Sequence, residues 1–161
     1  MMRVNDESKD LILIRHKALA LLTRREHSRW ELEQKLHQRG FTAQKIVPVL
    51  QQLIEEGWQS DDRFAECYVC SRINAGFGPL RIRAELKRRR IQDFLIDKYL
   101  NPKDHTFWMN KIKLVCTKKF TQKMSDSKFY ARQYRFLQQR GFHHDNIFQF
   151  LNGDKYEDSR D

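Results

Sequence analysis

The sequence predicts an all-α protein built from three tandem three-helix repeats, about nine helices with no sheet, stacked into an elongated curve. Three observations carry this. Six Gly and three Pro in 161 residues are too few for the regular turn signals of an all-β chain. Three segments beginning at Glu31, Arg81 and Arg132 keep the same apolar columns at steps of 50 and 51 residues. The columns are Leu36, Leu86 and Leu137; Phe41, Ile91 and Phe142; Ile46, Ile96 and Ile147; and Leu50, Leu100 and Leu151, with Arg39, Arg89 and Arg140 in a further one. Each copy is also preceded by a helix-start signal. The repeats divide the chain into 1–57 with an N-terminal extension, 58–102 and 103–152, followed by a frayed acidic tail over 153–161.

The first repeat opens with a helix over Ile12–Leu22, whose Ile14, Ala18, Leu21 and Leu22 share a face. Ser28 and Glu31 then form a capping box, the hydroxyl accepting an N3 amide and the carboxylate reaching back to the cap. Gly40 stops that helix in the left-handed conformation, and a Schellman turn packs Phe41 on Leu36. A short helix with Ile46 and Leu50 follows, in which Pro48 is expected to kink the helix or delay its start.

In the second repeat the leading helix is Asp61–Ile73, with Phe64, Ala65, Tyr68 and Val69 inward. Asp61-Asp62 reads as an N-cap with anionic first-turn residues, and not as a metal or acid/base pair. Gly78-Pro79 puts proline at a first helical position, where its missing N–H is not needed. Arg90 stands where the other copies have glycine, so that turn must differ or bear strain. In the third repeat Phe107–Phe120 leads, with Trp108, Ile112, Val115 and Cys116 inward; Asp126 and Ser127 are competent caps, and Gly141 is the stop.

Charge points to the partner. There are 31 Lys and Arg against 21 Asp and Glu, a net +10. Residues 1–80 carry 12 basic and 11 acidic side chains, whereas 81–161 carry 19 and 10. Arg81–Arg90 holds six cations and one Glu, and Lys111–Lys123 holds five Lys and no acid. Such asymmetry suits a polyanion or an acidic protein surface, the alternative being a solvated face.

Other chemistry is absent from the sequence. An odd number of cysteines, three, makes no disulfide framework. Cys67-Tyr68-Val69-Cys70 lacks the second pair that zinc needs, and one of its cysteines is expected in the core. His143-His144 reads as a solvated turn. There is no zinc-protease, phosphate-loop or nucleophile-elbow motif, so no enzyme, metal or cofactor is expected. With no signal peptide and no apolar run near membrane length, the expected location is the cytosol, with no membrane partner.

The segment Gly57–Ile91 resembles the most distinctive stretch of the RecX family of recombination regulators. The residues are Gly57-Trp58, Asp61-Asp62, Arg63-Phe64-Ala65, Tyr68-Val69, Arg72, Gly78, Arg81-Ile82 and Glu85-Leu86. The first repeat is similar through Ala18, Leu22, Arg25, Ser28, Glu31-Leu32, Lys35-Leu36 and Gly40-Phe41, and the likeness weakens in the third. Gln59-Ser60 departs from a frequent leucine–acid pair, and Arg90 from a frequent glycine. The resemblance implies a non-enzymatic modulator of the RecA recombinase. It would bind the filament on single-stranded DNA, depress ATPase and strand exchange, restrain the filament's co-protease role, hinder subunit addition and favour disassembly. A monomer is expected. Ser28, Glu31, Gly40, Asp61, Asp62, Arg63, Phe64, Gly78 and Gly141 are its structural motif residues.

For the contact surface, Arg83, Lys87 and Arg90 are expected on one face at i, i+4, i+7, beside Arg81 and Arg88. The curved stack would bring them near Lys111, Lys118 and Lys119, and near Arg132 and Arg135. The rival reading is a helix-turn-helix-like DNA-binding regulator. Ile46-Val47 and Phe148–Phe150, read as buried, count against it. A third is a scaffold binding acidic proteins alone.

Overall fold

The computed structural model describes the backbone of residues 3–121 and 127–157 and the side chains of 7–121 and 127–153. Among the described residues there are nine helices and no strand: α1 (Arg3–Leu22), α2 (Arg29–His37), α3 (Ala43–Glu55), α4 (Asp61–Asn74), α5 (Pro79–Arg88), α6 (Asp93–Leu100), α7 (His105–Lys119), α8 (Ser127–Arg140) and α9 (His144–Glu157). They form three consecutive triplets, as the periodicity predicts. The chain divides into two compact units, Met1–Cys67 with Arg88–Leu95, and Tyr68–Lys87 with Ile96–Asp161.

In the first unit α1, α2 and α3 close around Ile14, Ala18, Leu32, Leu36, Ile46, Val49, Leu50 and Leu53, with Leu21, Leu22 and Phe41 packed against them. Each fully buried aliphatic side chain contributes on the order of 1.5–3 kcal/mol. Helix α1 begins nine residues ahead of the predicted Ile12. The apolar face starts only at Ile14, and Ile12 itself is 68% exposed, so periodicity could not see the preceding turns. An ion pair from Lys45 to Asp10 ties that extension to α3. Pro48 sits inside α3, which nevertheless starts at Ala43, so the proline does not delay it.

The Ser28 hydroxyl accepts the Glu31 N–H at 3.1 Å, as a cap should. The reciprocal half of the box is not made. Burial alone would push the Glu31 carboxyl up, but hydrogen bonds from Arg25 (2.9 Å) and Arg89 (3.0 Å) outweigh it and hold the pKa below the usual range. Asp61 and Asp62 lie in the first turn of α4 as expected, but the cap is not Asp61. Ser60 caps α4, its hydroxyl taking the Arg63 N–H at 3.2 Å and its carbonyl the Phe64 N–H. Asp61 instead accepts the Arg29 N–H at 2.8 Å and the Gln59 amide, supplying an unpaired donor at the start of α2.

Gly40 lies at φ +88°, with Gly40 N–H on His37 and Phe41 N–H on Leu36, the expected Schellman turn. Gly141 repeats it with Phe142 on Leu137. Among the described residues Arg90, at φ 57°, is the non-glycine residue held in the left-handed region, so the strain expected there is present. Gly57 and Gly76 close α3 and α4 in the same way, two stops the sequence reading did not use.

The second unit buries Val69, Ile73, Ile82, Leu86, Ile96, Leu100, Trp108, Ile112, Cys116, Phe129, Leu137, Phe142, Ile147 and Leu151. Its tightest junction joins the start of α5 to the end of α8. Gly78 N–H donates to the Arg140 carbonyl at 2.8 Å and Leu80 N–H to the Gly141 carbonyl at 3.0 Å. Free amides at one helix start thus meet free carbonyls at another helix end. A Cβ on Gly78 would stand 2.4 Å from the Gly141 oxygen, and one on Gly141 2.4 Å from the Arg81 Cβ.

Four further expectations are revised. Cys67 and Cys70 are both exposed, because α4 turns Phe64, Ala65 and Val69 inward; Cys116 is the buried thiol. Val47 and Phe148 are 42% and 58% exposed, since the buried Ile46 and Ile147 already point their helices inward. His144 is more than a solvated turn: its Nδ1 lies 2.9 Å from the Tyr134 hydroxyl and its ring stacks with Phe148. Helix α9 continues through Glu157, past the predicted start of the tail; residues 158–161 and Asp126 lie outside the described residues.

Candidate cationic interaction surface

The predicted cations separate into those that hold the fold and those that face outward. Arg81 belongs to the first group. Its guanidinium donates to Glu85 at 3.0 Å and to the Gln139 carbonyl at 3.1 Å, and lies 4.5 Å from the Phe77 ring centre. Arg72 (3.9 Å) and Arg140 (4.8 Å) also lie over Phe77, so three guanidinium groups surround one ring. Glu85 collects Arg72 at 2.6 and 2.7 Å, Arg81, and the Tyr68 hydroxyl at 2.9 Å. Burial pushes its pKa up, but these bonds outweigh burial and hold it low.

The predicted i, i+4, i+7 stripe does not form as a unit. Arg83 is paired with Asp97. Helix α5 ends at Arg88, so Arg90 sits in a left-handed turn instead of continuing the face. Lys87, Arg88 and Arg90 are exposed. Arg83 opens on a groove with Lys103, His105 and Trp108, separate from the one lined by the α7 lysines.

That second groove brings together Lys111, Lys118 and Lys119 without the Arg83 they were expected to lie near, and adds Arg140. Asp104 caps α7 by accepting the Phe107 N–H at 2.7 Å, and Lys118 and Lys119 occupy the last turn, where the helix dipole favours cations. Lys111, Leu114, Val115 and Lys118 follow at i, i+3, i+4, i+7 and share one face. The opposite walls are the end of α4, Ile73 to Gly76, and Phe136 with Arg140 on α8. Arg140 donates to the Ala75 carbonyl at 2.8 Å and lies 5.1 Å from the Phe136 ring. Among the described residues no carboxylate lines this groove, and Lys118 and Lys119 are exposed. Arg132 and Arg135 are exposed elsewhere on α8, one over the Phe129 ring, the other on its own Ala131 carbonyl.

Sequence reasoning did not select Arg140, Phe136 or Phe77. A signal existed for the first, since Arg140 stands in the shared Arg39, Arg89, Arg140 column. Of the motif residues, Arg63 donates to Glu26 at 2.8 Å and to the Gly57 and Trp58 carbonyls, Phe64 is buried, and Asp62 is half-buried. Among the described residues no three His, Cys, Asp or Glu side chains are grouped to hold a metal, and no helix is long and apolar enough to cross a membrane.

Comparison with known proteins gives a consistent result. Family models described as "RecX, first three-helix domain", "RecX, second three-helix domain" and "RecX, third three-helix domain" match residues 15–53, 60–100 and 109–151. The regulatory protein RecX of Pseudomonas entomophila (strain L48) is 41% identical over 143 residues, 88% of this chain and 92% of that protein. The protein of the same description from Halorhodospira halophila is 42% identical over 135 residues, 83% of each. The crystal structure of RecX from Lactobacillus salivarius superposes with a TM-score of 0.75 at 21% identity, covering 91% of this chain and 97% of that one. At that identity the likeness speaks for the fold alone.

Proposed function

This chain belongs to the RecX family, and on that premise we propose that it binds the RecA filament on single-stranded DNA and modulates it. It lowers ATP hydrolysis and strand exchange, restrains the co-protease role, hinders filament growth and favours disassembly. The observation supporting a surface for this work is the α7 groove, where Lys111, Lys118, Lys119 and Arg140 stand without a carboxylate among the described residues. Lys87, Arg88 and Arg90 are a second set of outward cations, and Arg132 and Arg135 a third. Arg81 and Arg83 act through the fold, by holding Glu85 and Asp97.

The test is ATP hydrolysis by the cognate RecA on single-stranded DNA, with this protein titrated from well below stoichiometric amounts. Progressive loss at low ratios is expected, and Lys118→Glu with Lys119→Glu should weaken it while leaving helical circular dichroism unchanged. Full activity of a formed filament in the presence of the folded protein would overturn the proposal.

One observation favours the helix-turn-helix-like reading. Val47 on α3 and Phe148 on α9 are exposed, so the third helices of two repeats present outward faces. Sequence preference across several duplexes, with a log-log salt slope near about −5 for six phosphates, would support that reading.

A further inference from the structure

The α7 groove has a chemistry of its own. Its rim is cationic, from Lys111, Lys118, Lys119 and Arg140, and its floor is aliphatic, from Ile73, Leu114 and Val115. Leu114 is 48% exposed although it lies between Lys111 and Lys118 on one helix face, so an apolar side chain is open to solvent in a groove that four cations also line. Gly76 lets the end of α4 approach this floor: a Cβ there would meet Val115 Cγ2 at 2.9 Å.

From this we propose that the groove binds an acidic peptide segment carrying an apolar anchor, rather than a nucleic-acid strand. Two features decide between the two. Single strands gain affinity by stacking bases on open aromatic faces. Here the groove's one aromatic, Phe136, is half-buried, with Arg140 over it at 5.1 Å and Phe120 edge-on at 5.5 Å. The floor is aliphatic, which suits a leucine or similar side chain of a peptide. Carboxylates on the peptide would meet the lysines, and its anchor would cover Leu114. The inference rests on the reading of this groove as a contact surface, and it specifies the occupant.

The experiment is direct binding to the full chain, without recombinase, followed by fluorescence anisotropy. The probes are a labelled synthetic peptide in which a run of aspartates ends in leucines, the same peptide with serines for leucines, and an oligothymidylate of matched length. The leucine peptide is expected to bind about tenfold tighter than the serine peptide, the effect of burying an aliphatic side chain. Lys118→Ala with Lys119→Ala should weaken both peptides. Leu114→Ser, at a half-exposed position that leaves the core intact, should abolish the difference between them. Equal binding of the two peptides, no peptide binding, or displacement of the peptide by the oligothymidylate with no response to Leu114→Ser would each overturn the proposal. Because no filament is present, a negative result here leaves the ATPase test of the proposed function standing on its own.

Discussion

The two compact units use charge differently. The unit of residues 1–67 and 88–95 carries 14 basic and 12 acidic side chains; the unit of residues 68–87 and 96–161 carries 17 and 9. In the first, acids are matched mostly to cations far away in sequence: Arg15 with Glu56, Lys45 with Asp10, Arg63 with Glu26, and Arg89 with Glu31, which also takes the nearby Arg25. In the second, Glu85 and Asp97 serve Arg72, Arg81 and Arg83 at the α5 packing, and the cations of α7 have no carboxylate beside them among the described residues. The exposed pairs among these, such as Arg15 with Glu56 and Lys45 with Asp10, add little stability each, whereas Glu31 and Glu85 are largely buried and each held by two arginines. The difference lies in how charge is distributed: the first unit pairs its acids with cations, whereas the α7 cations of the second line a groove with no carboxylate among the described residues.

Glycine stops offer the largest contrast between the units. Gly40 and Gly141 share nearly the same positive φ, but a Cβ on Gly40 meets nothing within 4 Å, whereas one on Gly141 collides with Arg81. Gly40→Ala should cost about 1–2 kcal/mol, the left-handed penalty alone. Gly141→Ala should cost more than about 3 kcal/mol or prevent folding. Urea denaturation of both variants checks this; equal losses would mean that the α5–α8 junction yields easily.

Next come the two acid hubs. Glu31→Ala and Glu85→Ala should each cost about 2–3 kcal/mol, because each strands arginines that the carboxylate now holds. Both carboxyls have pKa values below their ordinary 4.5, so the unfolded chain takes up protons first as pH falls. Their contribution is complete above 4.5 and is lost as pH drops through the lower folded values. Urea midpoints measured from pH 7 down to acid should show a flatter acid limb in the double Glu31→Gln, Glu85→Gln variant.

A smaller effect sharpens the picture of the first unit. His27 is buried, and burial, followed by repulsion from Arg25 and Lys35, lowers its pKa below 6.5 despite the hydrogen bond to the Arg25 carbonyl. The unfolded state binds the proton more readily, so stability falls as pH drops below 6.5 toward the folded value. His27→Gln should remove that slope, as urea midpoints measured between about pH 7 and pH 5 would show. The smallest expectation concerns thiols. Cys67 and Cys70 should react at once with an aromatic disulfide reagent in the native protein, and Cys116 only on unfolding.

Much of the fold was legible because repeats print their core as columns. Leu36, Ile46, Leu50 and their equivalents are buried in every copy, and Gly40 and Gly141 stop their helices where the residue type demands. Illegible features were those in which a side chain's partner is set by tertiary structure. Asp61 looked like its own helix's cap and serves α2 instead. Arg81 and Arg83 looked like outward cations and are bound to Glu85 and Asp97. Of the candidate surface, the α7 lysines could be read from an acid-free run; Arg140 was marked by its repeat column, but its place on this groove was not, since that depends on a backbone carbonyl of Ala75.

The junction of α5 with α8 also bears on the order in which the chain acquires structure. The amides of Gly78 and Leu80 wait for carbonyls of Arg140 and Gly141, some sixty residues later in synthesis. At about 5–20 residues per second that is a delay of roughly 3–12 s. A nascent chain can complete the first unit once Leu95 has emerged, while the start of α5 remains without its hydrogen-bond acceptors until the last repeat is made. The cation-rich unit is thus assembled after the first, and a ribosome that stalls within α7 would hold a chain with one finished unit and an uncapped helix.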